Sequence, residues 1–317
     1  MRLELASALV AFIAAVAVAV LPDATPQLAL PVDCKLGQSC EIQYYVDRDP
    51  ELGGQDYRGG HVSFEGNTGV NIRVPSLAAQ QRGVAVLAAE GGKVLRVRDG
   101  VPDVSVREAG RQEAVKNAEC GNAVVIGHRG GWETQYCHLA RGSVKVKPGD
   151  HVKPRQPIGA VGLSGNTEYP HLGFVTRKGS RTIDPFDLDG KSLWIQTPAY
   201  QNGSILNVGF VAEPLTMEKI ETGDAPEPGP EAPILAAYGR AIDLHAGDIQ
   251  AVVLKGPDGG VLASHRAEPL PRDQAQNMAF VGRVRPQPRW PRGAYEAEYQ
   301  VWRDGKLFAS RSARLNF

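Results

Sequence analysis

Short apolar runs broken by glycine and proline recur along most of the chain. Val124-Val125-Ile126 and Thr134-Gln135-Tyr136 flank a turn at Gly130-Gly131, which reads as a hairpin. Pro148-Gly149-Asp150 separates the alternating Val144 and Val146 from apolar runs at Val152 and Ile158–Val161, and Gly165-Asn166 interrupts again before Pro170–Val175. Upstream, Val84–Ala89, Gly91-Gly92 and Val94–Val97 give strand, turn, strand. Runs this short predict a compact antiparallel sheet, not helices. Residues 41–63 show little periodicity and read as irregular. The charged stretch 99–119 lacks alternation and reads as an inserted loop of the kind that walls a groove.

Past Asp184-Pro185-Phe186 the pattern changes. A tail carrying Trp194, Tyr200 and Phe210 reads as packing back on the first domain, and Glu221–Pro233, rich in proline and acid, reads as an extended, solvated linker. Beyond it, Ile249–Leu254, Val261–Ser264, Ala279–Val284, Tyr295–Trp302 and Leu307–Leu315 are strands. Asp304-Gly305 is a two-residue hairpin signal. Glu296, Glu298 and Gln300 alternate with Tyr295, Ala297, Tyr299 and Val301, which gives one wet face and one buried face. Together these predict a β-sandwich over 234–317, of immunoglobulin-like type but without an immunoglobulin cysteine pair. The fold class is all-β, with a first domain at 26–220 and a linker at 221–233.

Composition changes this picture little. The 317 residues suit about two domains, and 42% of them are apolar, enough for a sizeable core. Lysine plus arginine balances aspartate plus glutamate at 35 each, so no global field draws nucleic acid or anionic lipid. The first 25 residues change it more. Arg2 precedes an apolar run from Leu5 to Leu21 with small-x-small cleavage candidates, a targeting segment that sends the chain out of the cytoplasm, to the periplasm or beyond. Four cysteines fit an oxidising compartment. Local pairing is expected: Cys34 with Cys40 around a small loop, and Cys120 with Cys137 across the hairpin. Cysteine–histidine metal binding is the rival reading, though CxxC spacing is absent.

From Cys120 to Phe174 the residues fall into a known pattern. Gly121-Asn122, the hairpin, Thr134-x-Tyr136-x-His138-Leu139, Val146-x-x-Gly149-Asp150-x-Val152 and a glycine turn ahead of His171 resemble the LytM/lysostaphin-like zinc endopeptidases, which cut the peptide cross-links of bacterial cell walls. The resemblance covers about 60–186 and implies the antiparallel sheet of that family. In the family, zinc is held by the histidine and aspartate of a His-x3-Asp motif and by the second histidine of His-x-His. Asn67, Asn71 and Gly173 stand at those three positions here. His138 and His171 match the two histidines that assist catalysis without holding metal.

The resemblance therefore implies the fold and puts the chemistry in question. Catalytic zinc takes three protein ligands from imidazole, carboxylate or thiolate; a carboxamide is a weak donor and glycine offers none. His61 and Glu65 have ligand spacing, but His61 lies about 20 Å along an extended strand from Asn67. Asn67 and Asn71 are expected to fill the former metal position with hydrogen bonds. His128, His151, His245 and His265 read as surface residues, and Trp132 and Tyr136 as hairpin packing or stacking platforms. Three functions follow: a metal-free domain that binds peptidoglycan or regulates a wall hydrolase, with no cofactor; an active zinc endopeptidase with replacement ligands; or an envelope scaffold acting through its sandwich. The first is the expectation taken forward.

Overall fold

The protein is described by a computed structural model over residues 25–317, so the targeting segment lies, apart from its last residue, outside the described residues. The first body runs β1 (Glu41–Tyr44), β2 (Val70–Arg73), α1 (Leu77–Gln81), β3 (Ala85–Leu87), β4 (Gly92–Arg98), α2 (Arg111–Ala114), β5 (Asn122–Gly127), β6 (Trp132–Leu139), β7 (His151–Val152), β8 (Pro157–Ala160), β9 (His171–Lys178) and β10 (Arg181–Ile183). The second comprises β11 (Ser204–Val211), α3 (Met217–Thr222), β12 (Ile234–Leu244), β13 (Ile249–Lys255), β14 (Val261–Arg266), β15 (Gln274–Val284), β16 (Ala294–Arg303) and β17 (Lys306–Asn316). The chain is all-β, as its pattern predicts.

An antiparallel sheet in the order β1-β2-β9-β6-β5-β4-β7, with β10 on β9, forms the first body, and a β3–β8 pair packs beside it. Its core gathers Ile72, Val124, Ile126, Tyr136, Leu172 and Phe174. Trp194 closes over Phe174 at 5.6 Å between ring centroids, and Tyr200 stacks on Tyr45 at 5.4 Å. Both local disulfides form, Cys34–Cys40 and Cys120–Cys137. The stretch 41–63, read as irregular, contains β1, a short strand with Glu41, Ile42 and Gln43 all buried. The insert at 99–119 is mostly loop but carries the one-turn α2.

The second body sets the sheet β11-β12-β15 against β14-β13-β16-β17, a sandwich. Two of its strands were not among those read from the sequence: β11, which lies ahead of the 234–317 span, and β12, which opens it. β11 pairs with β12 from Ser204↔Ile242 to Val211↔Ala236, so Phe210 buries in the sandwich core and not on the first body. β12 itself is buried on both faces through most of its length, which erases the alternation that marks a half-buried strand. The proline-rich stretch is fastened at both ends. Glu221, in α3, pairs with Arg73 of β2 and Arg240 of β12. Trp290 donates its backbone N–H to Pro230 O at 2.8 Å and its indole N–H to Ala232 O at 2.9 Å. We propose that the two bodies divide between Tyr200 and Ser204, ahead of that stretch.

Candidate functional site

The register of three adjacent strands decides which side chains share a face. Asn71 on β2 stands opposite Gly173 on β9, and Cys137 on β6 stands opposite Gly173 from the other side. Faces alternate along a strand. Ile72, Leu172, Phe174 and Tyr136 therefore enter the core, while Asn71, His171, Gly173 and Cys137 line a cleft of ≈ 480 Å³ together with Asn67 and His138. Tyr44, Phe64 and Thr167–Tyr169 extend the wall, with Val106 and Gln112 from the charged insert. The insert is tied there. Val106 N–H donates to Thr167 O at 3.0 Å, and Arg107 pairs with Glu168 at 2.7 Å.

His138 and His171 meet in this cleft with ring centroids 4.6 Å apart. The backbone at His138 turns to φ 64° just past the last β6–β9 pair, Cys137↔Gly173, and folds the ring over Gly173, where it would lie 3.1 Å from an added Cβ. His138 Nδ1 lies 2.8 Å from Ser164 O, and His171 Nδ1 lies 3.0 Å from Tyr169 O. Because a carbonyl only accepts, both Nδ1 atoms carry the proton and both Nε2 atoms carry the lone pair. Burial pushes His138 down to about 4, the hydrogen bond to Ser164 only partly opposing it. Burial, reinforced by the neighbouring His138, holds His171 well below the ordinary imidazole value. The pair is neutral at pH 7 and presents two basic nitrogens.

The three positions at which the sequence pattern would put zinc ligands offer no donor set that fits the ion. Asn67 spends its carboxamide on the backbone: Nδ2 donates to Tyr45 O at 2.6 Å and to Gly69 O at 2.9 Å, and Oδ1 accepts from Gly69 N–H at 3.3 Å. Asn71 lines the cleft near Tyr169 and offers only a carboxamide, a weak neutral donor. Gly173 has no side chain, and the space above it is occupied by the His138 ring. Among the described residues no group of three His, Cys, Asp or Glu side chains is arranged to hold a metal ion. Nor do the neighbours substitute. His61 lines a different cavity, with Asp243, His245 and Asp273, and Glu65 accepts from Gly53 N–H at 2.8 Å.

Other residues singled out in the sequence lie elsewhere. Trp132 is buried, with the Lys178 ammonium 5.3 Å from its ring centroid, and Tyr136 is in the core, its hydroxyl accepting from Ala89 N–H at 2.7 Å. His128, read as a surface residue, bridges Gly91 O at 2.9 Å and Thr134 Oγ1 at 2.8 Å. Two contributors to the cleft escaped the sequence reading. Tyr169 lies 5.0 Å from His171, and the Arg73 guanidinium lies 4.1 Å from the Tyr169 ring centroid. Arg73 has a faint signal, since period two puts it on the face of Gly69 and Asn71.

Residues 65–185 match Peptidase family M23. The cell division protein DipM of Caulobacter vibrioides is 31% identical over 111 residues, 35% of this chain and 14% of that protein. The peptidoglycan DD-endopeptidase ShyB of Vibrio cholerae is 35% identical over 74 residues, 23% of this chain and 17% of that protein. The chain thus spans less than a fifth of either relative. Among solved structures, the catalytic domain of the prophage-encoded M23 protein EnpA from Enterococcus faecalis, as its A109H mutant, aligns with 49% of this chain and 96% of its own. That alignment has 21% identity and a TM-score of 0.35, so the assignment rests on the sequence match. Residues 65–185 are a domain of Peptidase family M23.

Proposed function

We propose that this M23 domain is non-catalytic and uses its cleft to bind cell-wall peptide outside the cytoplasm. The observation that carries the reading is the state of the three ligand positions. Asn67 is consumed by backbone hydrogen bonds, Asn71 offers only a carboxamide, and Gly173 is bare beneath His138. With no donor set to hold zinc, nothing in the cleft lowers the pKa of a water from about 15.7 toward about 7. What the cleft keeps suits recognition. Two neutral imidazole Nε2 atoms accept hydrogen bonds from peptide N–H groups, and Tyr44, Phe64 and Tyr169 supply apolar area. Peptide is the favoured ligand because the similar ShyB is named for acting on peptidoglycan. The two closed disulfides support a place in an oxidising compartment.

The test is zinc stoichiometry of the purified chain together with muropeptide release from isolated sacculi. The expected result is substoichiometric zinc, no release, and sedimentation with sacculi that weakens several-fold in His138→Ala and His171→Ala. One equivalent of zinc with chelator-sensitive release of muropeptides overturns the reading.

A further inference from the structure

The Cys120–Cys137 disulfide is not only a clasp on the hairpin; it borders the cleft. Cys137 lies across from Gly173 in the β6–β9 register and lines the cavity. A Cβ placed on Gly173 would stand 3.3 Å from Cys137 Cβ and 3.4 Å from His138 Nε2. The glycine therefore leaves a hollow whose rim is a cysteine on one side and an imidazole nitrogen on the other. His171, two residues before Gly173 on the same face, brings the second imidazole. Gln135 Nε2 holds the disulfide in place, 3.1 Å from each sulfur, and Arg177 in turn donates to Gln135 Oε1 at 2.6 Å.

In the oxidised protein the sulfurs are bonded to each other and are poor ligands, so the cleft has two imidazoles and no third donor. Both imidazoles are nonetheless set up as ligands are. Each donates Nδ1–H to a backbone carbonyl, which fixes the tautomer and leaves Nε2 free, the arrangement that orients metal-binding histidines.

We propose that reduction of Cys120–Cys137 turns the cleft into a thiolate–imidazole centre for a borderline divalent cation such as zinc. Its ligands are Cys137 Sγ, His138 Nε2 and His171 Nε2, with Cys120 Sγ or water in the fourth position. None of these is a residue at the three ligand positions of the sequence pattern. The reductant is a dithiol. It passes two electrons and two protons to the protein disulfide, leaving two protein thiols, and is itself oxidised to a disulfide. Each thiol that then binds the cation releases its proton to solvent. Tetrahedral sites with Zn–S near 2.3 Å and Zn–N near 2.0–2.1 Å require the donors to close in on the Gly173 hollow; breaking the S–S bond frees the Cys137 sulfur to turn toward the two hydrogen-bonded imidazoles. A cation held there occupies the cleft and excludes peptide, so the centre makes peptide binding sensitive to redox state. The inference does not depend on the peptide reading, because its primary readout is metal uptake.

Cobalt(II) is the probe. The full chain is reduced with a dithiol, desalted without oxygen and titrated. Reduced protein should take up one equivalent and show thiolate-to-cobalt charge-transfer absorption, and oxidised protein should show none. The band should vanish in Cys137→Ser, and affinity should fall at least tenfold in His171→Gln, which leaves the cysteines untouched. The Cys34→Ser/Cys40→Ser double variant should behave like the parent. Absence of the band in the reduced parent, whether or not the reduced domain stays folded, overturns the proposal. So does a band that survives Cys137→Ser and disappears with Cys34 and Cys40.

Discussion

His138 sits with a left-handed backbone near the end of a strand, a conformation that non-glycine residues adopt at some cost. The turn sets its ring over Gly173 and lets its N–H donate to Cys120 O at 2.8 Å. It also buries an imidazole that cannot be protonated cheaply. Its pKa is pushed down to about 4 in the folded state, against about 6.5 unfolded. Between those values the unfolded chain binds more protons, so stability rises with pH across the window and is lost as pH falls below about 6.5. For His138 alone the loss reaches on the order of 3 kcal/mol at the acid end, and His171 adds to it in the same direction. The melting temperature should therefore fall between about pH 7 and about pH 4.5, and less steeply in His138→Gln. A parent and variant with parallel profiles would show that the His138 ring is not buried neutral. His138, His171, Asn67, Asn71 and Gly173 were legible as one set through the resemblance to the LytM/lysostaphin-like pattern, whose motif positions they occupy, and the β2–β9–β6 register brings them to one cleft. Arg73 and Tyr169 were not, because what defines them is Glu221, 148 residues from Arg73.

Among the elements, the β5–β6 hairpin carries the disulfide that spans 17 residues, while Cys34–Cys40 spans six. In the chain-entropy account closing loops of these sizes is worth about 3 and about 2 kcal/mol. Cys120→Ser/Cys137→Ser should lower the free energy of unfolding by the larger amount in a denaturant titration, and Cys34→Ser/Cys40→Ser by the smaller. The reverse order would place the strain or residual structure elsewhere. The hairpins were legible in the sequence because turn residues and alternation coincide. At Asp304-Gly305 both residues take positive φ, 50° and 73°, as a two-residue turn of this kind requires. β12 was hidden for two physical reasons. It is covered on both faces, so no polar residues mark every second position. Gly239 in its middle also reads as a breaker, yet it is there because a Cβ would fall 2.0 Å from Tyr299 Cγ in the facing sheet.

At the scale of the whole molecule the two bodies are joined by charge. Arg73 and Arg240 have fully buried side chains and share the Glu221 carboxylate; Arg240 also donates to Pro75 O at 2.6 Å, and Arg73 to Gln276 Oε1 at 3.2 Å. Burial and the neighbouring Arg73 lower Arg240 to about 10, and Glu221 is the group that opposes them. Glu221→Ala leaves two buried cations without their counter-ion, and loss of one partner in a buried pair costs about 3–5 kcal/mol. Equilibrium unfolding should show a loss in that range; a change below about 1 kcal/mol would mean the seam is wet and screened. None of this is written in local pattern, since an arginine in a strand looks like any solvated charge until its partner folds onto it.

Arg73 has a consequence for how such a protein can evolve. One guanidinium lies against Tyr169 in the wall of the cleft and also reaches the carboxylate of α3 and the amide of β15 in the sandwich. The two parts are therefore not beads on a string to be shuffled, duplicated or lost independently. A lineage that discarded the sandwich would inherit a cleft whose aromatic wall had lost its backing, together with an arginine in need of a new anion. The sandwich is best regarded as part of the cleft's inheritance, retained for as long as Tyr169 has to stand where it does.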